Sequence, residues 1–315
     1  MQRRTFIRLS TGASLGLGLG VAQAQLDKGL PTRPLGSTGE QVSLLCLGGY
    51  HIGQSHLSEK ESLRLMHAAI DGGINFFDNA WEYNNGRSEE LMGKALKGAH
   101  RQRVLLMTKH LGRDPATTLR QLEDSLRRLQ TDCIDLWQFH SIKTPADVNM
   151  IYESGALEIA RQAREQGKVR FVGFTGHYRT DRLLEMLAGD FNWDTVQMPL
   201  NPFDYHYESF AQRVLPVLVK RSVGSIAMKT MGGGMGGGKG AFLRSGEVKA
   251  AELLRYAMSL PVSTVCVGMD QMEMLEANLA VARDFTPFDE AEMNALRQRC
   301  LPLADGGSIE TYKGL

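Results

Sequence analysis

Ile74-Asn75-Phe76-Phe77-Asp78, Val104-Leu105-Leu106-Met107-Thr108-Lys109 and Ile134-Asp135-Leu136-Trp137-Gln138-Phe139-His140 are three successive apolar runs, each ending on a polar side chain. They are short, continuous and rich in Val, Ile and Phe, as strands buried on both faces of a parallel sheet should be. Working outward, similar runs lie at 42–47, 169–174, 195–198, 224–228 and 264–267. The eight runs recur roughly every 30 residues, the length of a strand plus a helix. Helical signals fill the gaps. Ser58 with Glu61 reads as a capping box before Leu63, Met66 and Ile70, and Gly72-Gly73 ends that helix. Asp114-Pro115 reads as an N-cap with proline in the first turn, opening a helix that runs through Leu129. Gly167 stops a helix over 156–166, and 181–187, 208–220, 247–260 and 271–282 follow the same logic. Eight strand–helix units without a break in composition predict an α/β fold, a (β/α)8 TIM barrel. The competing open doubly wound sheet rarely needs eight parallel strands. It would usually show Gly-x-Gly-x-x-Gly after the first strand, where this chain reads Leu47-Gly48-Gly49-Tyr50. Residues 33–42 predict an N-terminal β-hairpin able to close the barrel floor, and 289–300 an extra C-terminal helix followed by a Gly-rich tail.

The first 24 residues read as a signal peptide, leaving 25–315 as one barrel domain. Arg3-Arg4 with Phe6 opens a basic start, a weakly apolar Gly-rich stretch follows, and Ala22-Gln23-Ala24 is a small-residue cleavage site. The paired arginines resemble a twin-arginine signal, which predicts export of the folded chain to the periplasm by the export machinery. An ordinary secretory signal or an uncleaved anchor are the alternatives. The apolar stretch is too short to span a bilayer, so no stable membrane insertion of the mature chain is expected. Removing three of the 36 basic residues and none of the 35 acidic ones takes the formal charge from +1 to −2. That balance does not suggest nucleic acid as a partner. Cys46, Cys133, Cys266 and Cys300 are scattered without metal-ligand spacing. Cys46 and Cys266 read as small buried hydrophobes, and no disulfide or metal site is expected.

In a parallel barrel the chemistry gathers at the C-terminal ends of the strands. Here those ends carry Asp78, Lys109, His140, Thr175-Gly176-His177, Gln197 with Asn201, and Lys229. One lysine or aspartate after a strand is ordinarily just solvated; recurrence at the same end of successive strands suggests a site. Tyr83 follows Asp78 by five residues, so an acid, a phenol, an amine and an imidazole are delivered together.

These residues, with Leu35-Gly36-Ser37-Thr38-Gly39, Asn75-Phe76-Phe77-Asp78-Asn79-Ala80, Ser88-Glu89-Glu90-Leu91-Met92-Gly93, Gln197-Met198-Pro199-Leu200-Asn201 and Glu276-Ala277-Asn278-Leu279, resemble the aldo-keto reductase superfamily. The likeness runs from Arg33 to the last helix. It implies NAD(P)H-dependent interconversion of carbonyls and alcohols, with Asp78, Tyr83, Lys109 and His140 as a catalytic tetrad. In that scheme Tyr83 gives the proton, Lys109 lowers its pKa, Asp78 compensates Lys109, and His140 donates a hydrogen bond to the carbonyl oxygen. The resemblance places Thr175, Gly176 and Gln197 at the nicotinamide, with His177 replacing the family's usual amide. It puts Met228-Lys229-Thr230-Met231 where a stacking aromatic commonly stands. It offers Lys229 for the phosphates, and Gly268, Glu276 and Asn278 toward the adenine end. Family frequency favours NADP(H). Asp270 and Glu273, with no basic residue beside them, would also suit NAD(H).

The run Gly232-Gly233-Gly234-Met235-Gly236-Gly237-Gly238-Lys239 lacks the spacing of a triphosphate-binding loop. It reads either as a surface loop or as a flap over the cofactor pyrophosphate, with Lys229 or Lys239 on the phosphates. Trp81, Glu82, Tyr50, His51, Trp137 and Tyr205 are candidate liners of the substrate pocket, with His51 equally readable as a solvated loop residue. An exported reductase would have to carry its nucleotide with it, and the glycine loop could latch it. The alternative function is a nucleotide-binding regulatory or redox-sensing module with little turnover; the intact quartet favours the enzyme.

Overall fold

The computed structural model describes residues 29–233 and 240–313. The segment 1–24, expected to be a signal, and the glycine-loop segment carrying Met235 and Lys239 lie outside them. A small hairpin comes first, with β1 (Thr32–Pro34) antiparallel to β2 (Gln41–Ser43). Eight parallel strands follow: β3 (Leu45–Gly48), β4 (Phe76–Asp78), β5 (Leu105–His110), β6 (Ile134–Phe139), β7 (Val169–Thr175), β8 (Thr195–Pro199), β9 (Gly224–Met228) and β10 (Thr264–Gly268). Each pairs with the next, and β10 returns to β3, closing the barrel. The fold is the (β/α)8 barrel with its hairpin and final helix, Glu290–Cys300.

Side chains alternate across each strand. Phe76, Leu105, Met107, Leu136 and Ile226 point to the barrel interior, joined by Leu35 and Val42 of the hairpin, which plugs the floor. Phe77, Leu106, Trp137, Phe139, Val172 and Phe174 point outward into the layer between strands and helices. The plug explains Gly36. At φ +56° a Cβ there would lie 2.3 Å from the backbone nitrogen of Gly224, so only glycine lets the turn press against the foot of β9. Arg33 then bonds the carbonyls of Met258, Leu260 and Val262 at 2.7–2.9 Å, tying the hairpin to the end of the helix Ala250–Ser259.

The capping signals behave as read. Ser58 and Glu61 cap Glu59–Asp71, and Asp114 accepts from the Thr117 amide ahead of Pro115–Leu129. Three expectations are corrected. The run 42–47 is two elements, because Asn75 takes the Ser43 amide at 2.6 Å and turns the chain from hairpin into barrel. The helix expected over 208–220 breaks into Phe210–Arg213 and Leu215–Arg221, since Pro216 has no amide hydrogen for the carbonyl of Gln212. The helix expected from 247 begins at Ala250. Helices Arg87–Ala95 and Pro145–Glu153 were not foreseen. Among the described residues no helix is long and apolar enough to cross a membrane.

Candidate active site

Period-two alternation carries the inward parity upward from the packed interior. Above Phe76 comes Asp78; above Leu105 and Met107 comes Lys109; above Leu136 and Gln138 comes His140. Register then sets Lys109 beside Gln138 and Thr175 beside Gln197. Gly173 permits the crossing beneath them: Gln138 Nε2 donates to Thr195 Oγ1 at 2.8 Å, and a Cβ on Gly173 would sit 2.2 Å from that oxygen.

Asp78 and Lys109 are 4% and 1% exposed and form an ion pair through Asp78 Oδ1. The ammonium also donates to the Asn79 carbonyl at 2.6 Å and to Tyr83 Oη at 3.3 Å. Its three N–H donors thus have three acceptors. Tyr83 is delivered by a tight turn. Its amide bonds the Ala80 carbonyl at 3.0 Å, and the next residues, Asn84 and Asn85, take left-handed φ of 50° and 56°, which asparagine tolerates. Asn84 Nδ2 fixes the turn by donating to the Tyr50 carbonyl at 2.8 Å and Ser88 Oγ at 2.9 Å. Tyr50 and His140 meet the Tyr83 ring edge-on at 5.4 and 5.9 Å.

Charges follow from burial and neighbours. Burial opposes the Lys109 ammonium, but Asp78 and Tyr83 outweigh it and hold the pKa above its usual value, so Lys109 is a cation. Burial pushes the Tyr83 phenol up; Lys109 pulls it down, as expected, but does not win, and Asp78 adds to the rise. The net lowering expected from Lys109 is therefore corrected: Tyr83 keeps its proton. His140 Nδ1 lies 2.5 Å from Glu82 Oε1. Burial lowers the His140 imidazole despite Glu82, whereas His140 overrides burial and holds the Glu82 carboxyl below its usual value. An ionised Glu82 beside a neutral imidazole places the ring proton on Nδ1. Nε2 then gains a proton to donate only in the imidazolium form.

The nicotinamide candidates cluster with this core. Thr175 ends β7, and its Oγ1 accepts from the Ser141 amide at 2.9 Å. The Gly176 amide bonds the Gln197 carbonyl at 3.2 Å. Gln197 Nε2 reaches Asp78 Oδ2 at 3.3 Å, while its buried Oε1 has no partner. Lys229 follows β9 at φ +58°; its Nζ stands 5.8 Å from the Tyr312 ring, and burial lowers its pKa, with Lys109 adding to the effect. Gly268 ends β10 beneath His51, whose Nδ1 would be 1.8 Å from a Cβ there. Glu276 and Asn278 stand apart, along the helix Met272–Arg283, with Glu276 exposed.

Several expected liners are engaged elsewhere. Trp137 is wholly buried in the outward layer, stacked on His110 at 3.9 Å. Trp81 donates to Asp124 and lies under Arg128 against the helix Pro115–Leu129. Tyr205 carries the Arg297 guanidinium 4.1 Å from its ring centre. Conversely, three contributors escaped the sequence reading: Glu82 as the partner of His140, Cys266 as a donor to Asp78 at 3.1 Å, and the C-terminal tail. In that tail Tyr312 accepts from Asn201 at 3.1 Å and meets His177 edge-on at 6.0 Å. Among the described residues no group of three or more His, Cys, Asp or Glu could hold a metal ion.

The profile of the aldo/keto reductase family matches residues 44–246. The chain is 30% identical over 275 residues to the oxidoreductase YrpG of Bacillus subtilis, covering 79% of this chain and 81% of that one. It is 31% identical over 219 residues to a 6-dehydroglucose reductase of Novosphingobium aromaticivorans, covering 64% and 69%. An aldo-keto reductase from Bacillus halodurans superposes with a TM-score of 0.71 at 25% identity, over 90% of this chain and 99% of that one. Barrel, profile and relatives agree, and the chain belongs to the aldo/keto reductase family of oxidoreductases.

Proposed function

We propose that this oxidoreductase reduces aldehyde or ketone carbonyls to alcohols, or runs the reverse, with Tyr83 giving the proton to the carbonyl oxygen. One observation carries the reading. Lys109 places an N–H on Tyr83 Oη, so the phenol oxygen accepts and its own O–H is left to donate. Burial keeps that proton in place until a more basic oxygen develops beside it. The Lys109 cation then stabilises the phenolate as the proton leaves, in a setting poor in water. Asp78 prevents Lys109 from being a buried unpaired charge. His140, with Nδ1 on Glu82, would donate from Nε2 to the carbonyl oxygen in its imidazolium form.

The residues suit a nicotinamide nucleotide. The orphaned Oε1 of Gln197 can accept from a carboxamide N–H, and the Thr175 hydroxyl proton remains free to donate. When bound, the nucleotide supplies or takes the hydride. Thr175, Gly176 and Gln197 would hold its carboxamide, Lys229 its phosphates, and Gly268, Glu276 and Asn278 its adenosine end. NADP(H) is proposed first and NAD(H) second. Asp270, which pairs with His56 at 3.2 Å, is the acidic residue at this end that would also suit NAD(H).

The test is Tyr83→Phe, assayed with NADPH and NADH on aldehydes, ketones and oxidised sugars. The last are included because one relative is a sugar-carbonyl reductase by name. Loss of a general acid should lower kcat by about 10²–10⁴ while nucleotide Kd is unchanged. Undiminished turnover by the phenylalanine variant would end the assignment.

A further inference from the structure

We propose that Cys266 is a positioning residue of this site, its S–H donating to Asp78 and fixing the carboxylate that holds Lys109. The proposal rests on the reading above and deepens it. Register pairs Cys266 of β10 with Cys46 of β3. Cys46 belongs to the barrel interior and Cys266 packs against the same cluster, so both thiols share the face that carries Asp78 upward. Asp78 Oδ1 is taken by Lys109. Oδ2 receives Cys266 Sγ at 3.1 Å and Gln197 Nε2 at 3.3 Å.

Those two donors are not equivalent. Gln197 is also the candidate partner of a carboxamide, whereas the rival acceptor beside Cys266 is the Cys46 sulfur, a far weaker acceptor than a carboxylate oxygen. An ammonium bound at one oxygen leaves a carboxylate free to pivot about its Cβ–Cγ bond; a donor on the second oxygen removes that freedom. The lysine then meets Tyr83 Oη from a fixed direction. The thiol suits this task better than a nucleophile's. Its neighbour Cys46, burial and Asp78 all push its pKa well up, so the S–H stays protonated. The other charged or titratable groups facing this point are Tyr83 and Glu82 after β4, Lys109 on β5, His140 after β6 and Lys229 after β9.

Two variants and one spectrum test it, all in the full chain. Cys266→Val keeps the volume and removes the donor; Cys266→Ser keeps a donor. A hydrogen bond to a charged group is worth about 1.5–3 kcal/mol, so kcat should fall about tenfold or more in the valine variant. KM for the nucleotide should hold, and the serine variant should recover most of the loss. The infrared S–H stretch, isolated as the difference between wild type and Cys266→Val, should lie below that of a free thiol and return toward it in Asp78→Asn. Wild-type kcat in the valine variant, or equal loss in both variants, would overturn the positioning role. A free-thiol stretch would overturn the contact itself. Absence of any carbonyl turnover in wild type would instead refute the proposed function, and the S–H stretch would still decide the contact.

Discussion

A buried lysine is tolerated only because its charge is answered. With Lys109 and Asp78 nearly inaccessible to water, removal of either partner leaves the other as an uncompensated ion. Lys109→Met should therefore cost about 3–5 kcal/mol of stability, read as a lower urea midpoint. Adding Asp78→Asn should restore a large part of it; a single variant as stable as wild type would contradict the argument. Asp78, Lys109 and His140 were legible in the sequence because each interrupts the end of an apolar run. Cys266 was not, since a thiol inside Val265-Cys266-Val267 looks the same whether it packs or donates. Trp137 shows the same limit: an aromatic on a strand has two faces to choose from, and the choice depends on strand parity counted from the barrel axis.

Among the elements, the strands and the capped helices were readable because period two, N-caps and glycine stops act within a few residues. The tail after Glu290–Cys300 was not. It ends in a turn, Thr311–Lys313, whose lysine is wholly buried between two carboxylates. Lys313 Nζ lies 2.6 Å from Asp204 Oδ1, 2.9 Å from Glu310 Oε2 and 2.8 Å from the Tyr207 carbonyl. Burial raises the Asp204 carboxyl while Lys313 opposes the rise. Asp204 also accepts the amides of Phe210 and Ala211, so tail and helix start share one anchor. Lys313→Met should lose about 3–5 kcal/mol and release the tail, with Tyr312 leaving Asn201 and His177. Limited proteolysis should then cut near the C-terminus faster than in wild type; unchanged cleavage would count against the anchor.

Across the whole molecule, four histidines sit near the barrel mouth with imidazoles held below their ordinary pKa, burial being the first cause in each: His51, His110, His140 and His177, the last at about 3. In the unfolded chain each binds a proton as pH falls past about 6.5, while the folded chain resists. The unfolded state then holds more protons, so stability is full above that pH and declines as pH falls toward the folded values. The urea midpoint should be lower at pH 5 than at pH 7.5. His110→Phe, which keeps a ring on Trp137, should narrow that gap; an unaltered gap would show that His110 takes no part.

The sequence by itself determined the barrel, its hairpin and the convergence of Asp78, Lys109, His140, Thr175 and Gln197. The hydrophobic period and the closure of eight equal units leave those strand ends only one rim to occupy. Tertiary structure alone decided that Glu82 answers His140, that Tyr83 keeps its proton against Lys109, that Cys266 reaches Asp78 and that Tyr312 returns from the far end of the chain. Each of these depends on distance and burial between segments remote in sequence or on the exact depth of a side chain, and neither is encoded in any local pattern of residues.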